Sequence, residues 1–470
     1  MSHTHEAGEL HSAAAWRGPA WLSPPDDVNE LMPKLWSDNT VRGDGGALEV
    51  AGVDVRELAR EYGTPLYVVD EDDVRRRARG FVEAFDRYDV FYASKAFCLV
   101  SIIRWVVEEG LNVDVCSGGE LAVALRAGVD PARIGLHGNN KTATELQAAI
   151  DAGVGRVIVD SFDEIDRLRT LTRDRSGVPL PVMVRCTAGV EAHTHEYIAT
   201  AHEDQKFGLS IAEGVASDAY RAARLLEDLP GVRLIGLHSH IGSQIFDTAG
   251  FEVAARRVLR LHARLSADLG RPLPELGLGG GFGIAYNSQD TPAEPASLAA
   301  GLDAIVDGEC AALAIDRPRC SIEPGRAVVG PSTLALYEVG TVKRVRLDGA
   351  AHRVYVAVDG GMSDNVRTAL YGAEYSATLA SRRSQAAPHL SRVVGKHCES
   401  GDIVVNDEFL PADTAVGDLI AVPGCGAYCR ALASNYNQAL RPAVVAVRAG
   451  QARLAMRRET LADLLALDVG

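Results

Sequence analysis

The chain has 470 residues, more than one hydrophobic core normally serves, so its length predicts two domains. Its 48 lysines and arginines against 63 aspartates and glutamates give a formal net charge of −15, and no segment combines basic residues with aromatic ones. We therefore expect neither nucleic acid nor an anionic membrane surface to be a partner. No apolar run approaches the length that a membrane-spanning helix needs.

Eight cysteines are spread along the chain without a repeating spacing, and the first residues, Met1 to Glu6, contain no basic region followed by an apolar run. This pattern predicts a cytoplasmic protein with reduced thiols. The segment Cys425-Gly426-Ala427-Tyr428-Cys429 has the spacing of half a zinc site. Because no second pair of ligands accompanies it, we predict no metal.

In chain order, residues 1–28 come first, and their prolines and weak periodicity predict a flexible arm. Residues 29–64 are assigned, together with residues 331–470, to one β domain. Residues 40–64 can instead supply a strand or two to the domain that follows them. Residues 331–470 contain closely spaced β-rich runs, broken by turn residues with few helical periods between them, which is typical of a mainly antiparallel β domain.

Between these parts, residues 65–330 alternate short β-branched runs with longer segments of helical period, which predicts a parallel sheet covered by helices. The predicted fold class is therefore α/β, with a (β/α)8 barrel of the TIM type beside the β domain. The candidate strands end at Lys95, Ser117, Asn139, Ser161, Cys186, His240, Gly281 and Gly325. The clearest helical segments are 119–127, 144–152, 162–171, 217–229 and 251–269.

Polar residues gather at the carboxyl ends of the predicted barrel strands, where a barrel of this type keeps its active site. Any one of them can be a structural polar group, but packing alone does not readily place such residues at eight successive strand ends. We therefore assign them to an active site, with Asp114 in its cofactor-binding part. The residues are Lys95, Asp114, His137, Asp160, Arg185, His240, Gly279 to Gly281 and Glu323.

Three of these features match three parts of one molecule, pyridoxal 5'-phosphate (PLP). Lys95 ends a run that predicts a buried strand, and an amine held where water is scarce loses its charge readily, as bonding to an aldehyde requires. Gly279 to Gly281, with Ser243 at the neighbouring strand end, offer N–H groups and a hydroxyl to a phosphate. Glu323 can keep a pyridine nitrogen protonated. Taken singly, the lysine can instead reach solvent and the glycines can form a tight turn.

Six blocks of sequence, in their order along the chain, carry a specific resemblance. Over roughly residues 40–455 the chain resembles the diaminopimelate decarboxylase family, whose members are PLP-dependent decarboxylases of the alanine-racemase-like fold type III. One departure lies in Gly395-Lys396-His397, where many relatives carry a proline and a hydroxyl residue, and we expect a local loop variation there. The blocks are Tyr92 to Lys95, His238 to Gln244, Gly279 to Gly283, Glu323 to Arg326, Cys398 to Asp402 and Gly426 to Tyr428.

For the cofactor, the resemblance implies that Lys95 bonds covalently to the aldehyde and that His240 stacks on the ring. It implies that Glu323 pairs with the pyridine nitrogen. The residues implied to hold the phosphate are Ser243, Gly279, Gly280, Gly281 and Tyr428.

For the substrate, the resemblance implies a basic clamp on the distal carboxylate, with Glu399 binding the distal ammonium. Cys398 matches the residue that this family lends across a dimer interface, which implies a homodimer with shared active sites. Either Cys398 or Lys95 supplies the proton that replaces the lost carboxylate. The clamp residues are Arg326, Arg367 and Tyr371, and Tyr428 is assigned to the substrate site as well.

The implied reaction is decarboxylation of meso-2,6-diaminopimelate at its D-configured carbon to L-lysine and carbon dioxide, the last step of bacterial lysine synthesis. Ornithine, arginine or carboxynorspermidine are alternative substrates on the same scaffold, but a monoamino acid with a cationic tail would give a second arginine nothing to bind. A catalytically silent PLP-binding homologue is a further alternative. Such proteins tend to lose the lysine or the cysteine, and this chain keeps both.

Overall fold

The computed structural model of the protein describes residues 18–174, 177–189, 205–212, 214–346 and 352–470. Most of the predicted arm, residues 1–17, therefore lies outside the described residues. The chain forms two compact units. The barrel unit consists of Arg75–Gly283 and Pro292–Val328, and the β unit consists of Met1–Val74, Ile284–Thr291 and Val329–Gly470.

The barrel unit contains eight parallel strands that pair in chain order, and the last pairs with the first to close the barrel. This confirms the predicted fold class. A further short strand, Leu209–Ser210, extends the sheet beside the fifth barrel strand. The barrel strands are β1 Tyr88–Ala93, β2 Asn112–Val115, β3 Ile134–Leu136, β4 Arg156–Val159, β5 Leu180–Thr187, β6 Val232–Ser239, β7 Glu275–Gly277 and β8 Arg319–Ile322.

Side-chain caps fix where several barrel helices begin. Thr142 accepts a hydrogen bond from the Glu145 N–H, and the Glu145 carboxylate accepts one from the Thr142 N–H, which satisfies two amides that the helix itself leaves unpaired. The same helix ends at Gly153 in the left-handed region. The helices of this unit are Val100–Glu108, Gly118–Ala127, Ala143–Ala152, Phe162–Thr172, Asp218–Glu227, Ala249–Leu269 and Pro295–Leu313.

Two further helices, Glu71–Ala84 and Arg326–Val329, contain points where the chain passes from one unit to the other. No helix in the described part of the chain is long and apolar enough to cross a bilayer. Phe282 packs against Phe81, Phe85 and Phe251 with ring centroids 5.5 to 6.0 Å apart, and so joins helix side chains to the segment after β7.

The β unit contains a small antiparallel sheet and a larger mixed sheet. In the larger sheet most pairings are antiparallel, but His352–Val358 pairs in parallel with Pro388–Val394, and Leu66–Asp70 with Ala443–Arg448. The small sheet consists of Thr40–Arg42, Leu48–Val50 and Val53–Asp54. The other strands are Thr333–Arg346, Thr378–Leu379, Ile403–Pro411, Leu419–Val422 and Gln451–Met456, and the helices are Val55–Tyr62, Arg367–Tyr371 and Leu461–Leu465.

The strand Leu66–Asp70 falls within the range predicted for the barrel, 65–330, yet it pairs with strands of the β unit on both sides. Its five residues are all buried, and four apolar residues precede Asp70, as in a central strand. Such a run indicates that the strand is buried on both faces, but it does not indicate to which of the two sheets the strand belongs. Residues 40–54 likewise pair with one another and supply no strand to the barrel.

A buried aspartate lies in the core of the β unit. Asp364 accepts a hydrogen bond of 2.5 Å from the Tyr337 hydroxyl and one of 2.9 Å from the Gly361 N–H, and its carbonyl oxygen accepts one from the Tyr67 hydroxyl. Burial raises the pKa of the Asp364 carboxyl to about 7, against the opposing effect of these hydrogen bonds. The folded protein therefore binds a proton here that the unfolded chain has released.

We expect this proton to make stability depend on pH. Between pH 4 and pH 7 the folded state keeps the Asp364 proton and the unfolded state does not, so the free energy of unfolding falls as pH rises, by up to about 4 kcal/mol. Asp364→Asn removes this dependence, so thermal unfolding measured from pH 4.5 to pH 7.5 should vary less in the variant than in the wild type. Asp26→Asn, at an exposed aspartate of the same unit, should keep the wild-type dependence. Equal pH dependence in Asp364→Asn and the wild type would contradict the prediction.

Candidate active site

Lys95 lies in the short 3-10 turn Ser94–Ala96 that directly follows β1. Ser94 and Ala96 are buried, whereas Lys95 is exposed, so the expectation of a lysine held away from water is wrong for the structure as it stands. The turn is tied to β2, because the Glu120 carboxylate accepts hydrogen bonds from the Ser94 hydroxyl at 3.1 Å and from the Cys116 N–H at 2.6 Å. The backbone that presents Lys95 is therefore fixed while its amine reaches the open mouth of the barrel.

Glu323 follows β8 and points into a buried polar cluster. Its Oε1 lies 2.7 Å from Nε2 of His238 and 3.7 Å from Nε2 of His137. The same nitrogen of His137 lies 3.1 Å from Oδ1 of Asp114. The side chains come from the ends of β2, β3 and β6 and from the residue after β8, so closure of the barrel brings them together.

The charge on this cluster is unevenly distributed. Burial raises the pKa of Glu323, but His238, His137 and Arg156 outweigh that effect and hold it well below its usual range. Burial and the nearby Glu323 charge raise the pKa of Asp114 well above its usual range. Burial also lowers the pKa of His137 to about 3. Glu323 is therefore the ionised carboxylate of the cluster, and Asp114 retains its proton.

The ligand atoms of His137, His238 and Glu323 lie within 4.8 Å of one another, which raises the question of a metal. Two ligands on one tetrahedral zinc are about 3.3 Å apart, given bonds of about 2.0 to 2.1 Å. The 2.7 Å separation of His238 and Glu323 is shorter and is that of a charge-assisted hydrogen bond.

His240 lies at the end of β6, and its ring is held by the glycine segment after β7. The Gly280 N–H donates to Nδ1 of His240 at 3.1 Å, so this nitrogen is unprotonated. Burial, followed by the nearby charges of Lys95 and Arg185, lowers the pKa of His240 well below its usual value. A neutral imidazole with a fixed ring plane is therefore presented close to Lys95.

The triple glycine comes closer to neighbouring backbone than any side chain would allow. A Cβ on Gly280 would lie 2.1 Å from the carbonyl oxygen of Glu323, and one on Gly281 would lie 2.4 Å from that of Gly242. Gly279 and Gly281 also have φ values of 73° and 109°, which favour glycine. Glycine is thus required here by both space and backbone conformation.

The segment after β6 is joined to the glycine segment by two backbone hydrogen bonds, from Ile245 N–H to Gly281 at 2.9 Å and from Gly283 N–H to Ile245 at 3.0 Å. Ser243 lies in this segment and accepts a hydrogen bond of 2.8 Å from the buried guanidinium of Arg326. A hydroxyl, a guanidinium and a concave glycine backbone therefore adjoin one another, as anion binding requires.

These observations fit PLP. The glycine segment carries no side chains that would cover its backbone amides, which suits a phosphate bound by backbone N–H groups. The buried, ionised Glu323 suits a protonated pyridine nitrogen, and Lys95, directly after β1, offers an amine for an aldehyde. Asp114, His240 and Ser243 lie at or after the carboxyl ends of strands in the same closed barrel, so the barrel part of the predicted cofactor site belongs to one end of the barrel.

Arg367, Tyr371 and Tyr428 are predicted substrate residues that belong to the β unit. Arg367 is buried, and its Nη1 donates to the hydroxyls of Tyr286 at 2.8 Å and Tyr375 at 2.5 Å, with the guanidinium 4.9 Å from the Tyr286 ring centre. Tyr371 ends the same short helix and is half-buried. Tyr428 is half-buried and has a φ of 62°, which is uncommon for a side chain of its size.

Cys398 and Glu399 are both exposed, on a loop whose preceding residue is anchored. The His397 ring lies 2.8 Å from the Ser363 hydroxyl and 3.1 Å from Oδ1 of Asn437. The backbone N–H of His397 donates to the Asp402 carboxylate at 2.7 Å. His397 lies in the segment Gly395 to His397 for which a local loop variation is expected. It holds the loop so that Cys398 and Glu399 face outward.

Several contacts of the site were not predicted. The partners of Glu323, His137 and His238, were noted only as strand-end or motif residues, and Arg156 was not considered. Arg156 is buried over the Phe91 ring at 3.8 Å, so an arginine within an apolar strand was the available signal. The two tyrosines beside Arg367 carry no comparable signal, because aromatic residues are common in any core.

Comparison with known proteins supports this site. The family described as pyridoxal-dependent decarboxylase, pyridoxal binding domain, matches residues 71–330. The diaminopimelate decarboxylase of Mycobacterium tuberculosis is 54% identical over 450 residues, which cover 94% of this chain and 100% of that protein. The diaminopimelate decarboxylase of Bacillus subtilis is 44% identical over 428 residues, covering 90% and 95%.

A solved structure shows the same likeness. The crystal structure of diaminopimelate decarboxylase from M. jannaschii in co-complex with L-lysine has a TM-score of 0.84 and 30% sequence identity, and covers 92% of this chain and 98% of that one. The similarity therefore extends through both units of the chain.

The glycine segment provides a test of the cofactor site. Gly280→Ala places a Cβ against the Glu323 carbonyl oxygen, so we expect a loss of about 1 to 3 kcal/mol in stability and weaker retention of PLP. Gly308→Ala, in the helix Pro295–Leu313 with no atom within 4 Å of the added Cβ, is the matched control and should keep both. Thermal unfolding and cofactor absorbance after dialysis measure the two effects. Wild-type cofactor retention in Gly280→Ala would contradict the assignment.

Proposed function

The chain belongs to the diaminopimelate decarboxylase family of pyridoxal-dependent decarboxylases, and we propose on that basis how its own residues perform the reaction. The reaction is the PLP-dependent decarboxylation of meso-2,6-diaminopimelate to L-lysine and carbon dioxide, the last step of bacterial lysine synthesis. The observation that carries the residue assignments is one barrel mouth with an amine, a glycine cradle and a buried carboxylate, at Lys95, Gly279 to Gly281 and Glu323.

PLP held by these residues would supply the electron sink that decarboxylation needs. Lys95 would bond to the aldehyde end and give way to the substrate amine, since its side chain is exposed while the backbone that carries it is held through Glu120. Glu323 would present a negative charge to the ring nitrogen from within the barrel, and His240 would cover the ring. The proton that takes the place of carbon dioxide comes from Nζ of Lys95 or Sγ of Cys398.

Substrate choice depends on charges at the end of the substrate that does not react. Arg326 and Arg367 would bind the distal carboxylate, and Glu399 would bind the distal ammonium. Tyr286 and Tyr375 direct Arg367 by accepting its hydrogen bonds, so its planar guanidinium is pre-oriented for a carboxylate. Tyr371 and Tyr428 would complete the sites for the substrate and for the phosphate.

The alternative substrates and the silent homologue are not favoured. The relatives that share 44% to 54% identity with this chain are named diaminopimelate decarboxylases. Ornithine and arginine carry no distal carboxylate, so they would leave the buried charge of Arg367 without a ligand. The chain also retains both Lys95 and Cys398.

Purified protein with PLP should release L-lysine from the meso isomer much faster than it processes LL-diaminopimelate, ornithine or arginine. Glu399→Gln removes the charge that binds the distal ammonium, which costs about 2 to 5 kcal/mol, or at least about 30-fold in kcat/KM. Glu30→Gln, an exposed glutamate of the same unit, is the control. Equal rates on meso-diaminopimelate and ornithine would refute the substrate assignment.

We propose that the functional unit is a homodimer in which Cys398 and Glu399 complete the active site of the partner. Both residues are exposed on a loop that is anchored by His397, which supports this proposal. The Cys398 thiol and the Glu399 carboxylate therefore point away from the core of their own subunit. We also propose that the protein works in the cytoplasm. All eight cysteines are free thiols, which suits a reducing compartment.

Shared sites predict complementation between inactive variants. Lys95→Ala and Cys398→Ala should each lose nearly all turnover, and mixing them after subunit exchange should restore activity, because a hybrid dimer contains one intact site. At equal mixing about half of the dimers are hybrids with one working site each, so recovery should approach about one quarter of the wild-type rate. A mixture that remains inactive, although mass spectrometry shows hybrids, would exclude sharing.

A further inference from the structure

His238 is a buried histidine to which the proposed reaction assigns no role. It lies in β6 with 1% of its surface exposed, and its Nε2 is 2.7 Å from Oε1 of Glu323. Within the described residues, no other side chain lies within hydrogen-bond distance of this carboxylate. His137 is the next, with its Nε2 at 3.7 Å.

Arg156, one of the buried cations whose charge acts on Glu323, makes its hydrogen bond to another residue. Arg156 donates to the Ser321 hydroxyl at 3.2 Å and lies 3.5 Å from the Glu275 carboxylate, with its guanidinium 3.8 Å from the centre of the Phe91 ring. It acts on Glu323 through its charge, but the charge alone does not orient a carboxylate. Orientation of Glu323 therefore depends on the directional hydrogen bond from His238.

The hydrogen-bonding state of His238 follows from its partner. Because Glu323 is ionised, Nε2 of His238 must carry the hydrogen. Burial lowers the pKa of His238, so its Nδ1 is unprotonated, and within the described residues this buried nitrogen has no hydrogen-bond partner. Burying the unpaired Nδ1 of His238 costs free energy, and the hydrogen bond from Nε2 to Glu323 offsets that cost.

We propose that His238 is a positioning residue for the reaction, whose Nε2–H fixes the Glu323 carboxylate so that its negative charge faces the pyridine nitrogen of PLP. The inference rests on the proposed function, because it assumes that Glu323 serves that nitrogen. His137 approaches the same Oε1 at 3.7 Å, and Asp114, whose Oδ1 lies 3.1 Å from Nε2 of His137, has a raised pKa and so adds little competing charge.

Three substitutions of His238 separate positioning from packing. His238→Gln retains an N–H close to the position of Nε2, His238→Asn carries its amide too near the backbone to reach Glu323, and His238→Leu removes the donor. The matched control is His262→Leu, at a histidine that is equally buried, in the helix Ala249–Leu269 of the same unit. Glu323→Gln shows the result of losing the carboxylate itself.

Two measurements are made on holoenzyme reconstituted with PLP that is 15N-labelled at the ring nitrogen. NMR reports whether that nitrogen is protonated, independently of turnover, and steady-state kinetics with meso-diaminopimelate give kcat and KM separately. We expect His238→Leu and His238→Asn to shift the 15N signal towards the unprotonated form and to lower kcat about 10- to 100-fold, with KM little changed. His238→Gln should recover most of both, and His262→Leu should match the wild type.

A protonated ring nitrogen and wild-type kcat in His238→Asn or His238→Leu would overturn the proposal. If His238→Leu does not fold, the comparison of the glutamine and asparagine variants decides, and equal behaviour of those two would also overturn it. Failure of the proposed function looks different, because then the wild-type protein itself would not release lysine from meso-diaminopimelate.

Discussion

A carboxylate that stays charged inside the barrel is the constraint on which the site depends. Glu323 is only 8% exposed, and burial by itself would favour its neutral form. Arg156 supplies positive charge, and His238 donates a short hydrogen bond to Glu323. Two neighbouring carboxylates are not both ionised, and the raised pKa of Asp114 makes it the one that stays protonated. The barrel interior therefore contains polar groups in place of the aliphatic layers that would pack more cheaply there.

The approach of backbone to backbone is the second constraint, and it is coupled to the first. Gly280 is pressed against the carbonyl oxygen of Glu323 and also donates its N–H to His240. The residue that bears the charge, the ring expected to cover the cofactor and the glycine cradle thus share one set of contacts. Hydrogen bonds join the segments after β6, β7 and β8, so a displacement of His240, of the glycines or of Glu323 would also move the other two.

The β unit prepares its functional residues in two different ways. Arg367 is buried between Tyr286 and Tyr375, so its direction is set before any ligand arrives. Cys398 and Glu399 are exposed, and only the backbone that carries them is fixed, through His397. A buried arginine whose direction is already set, such as Arg367, suits the binding of a carboxylate. Exposed residues such as Cys398 and Glu399 suit a role in the active site of a partner subunit.

The alternation of strand and helix, the strand-end residues and the glycine block could be read directly from the sequence, because local periodicity and backbone freedom determine them. Since the carboxyl ends of parallel strands converge, the sequence also placed Lys95, Glu323 and the glycines at one mouth. The partners of Glu323 could not be read in this way, because barrel closure brings His137 and His238 together from strands about 100 residues apart in the chain. Tertiary pairing likewise determined which sheet the strand Leu66–Asp70 joins. A largely apolar strand can lie inside any sheet that satisfies its backbone hydrogen bonds, so its sequence does not distinguish the two sheets.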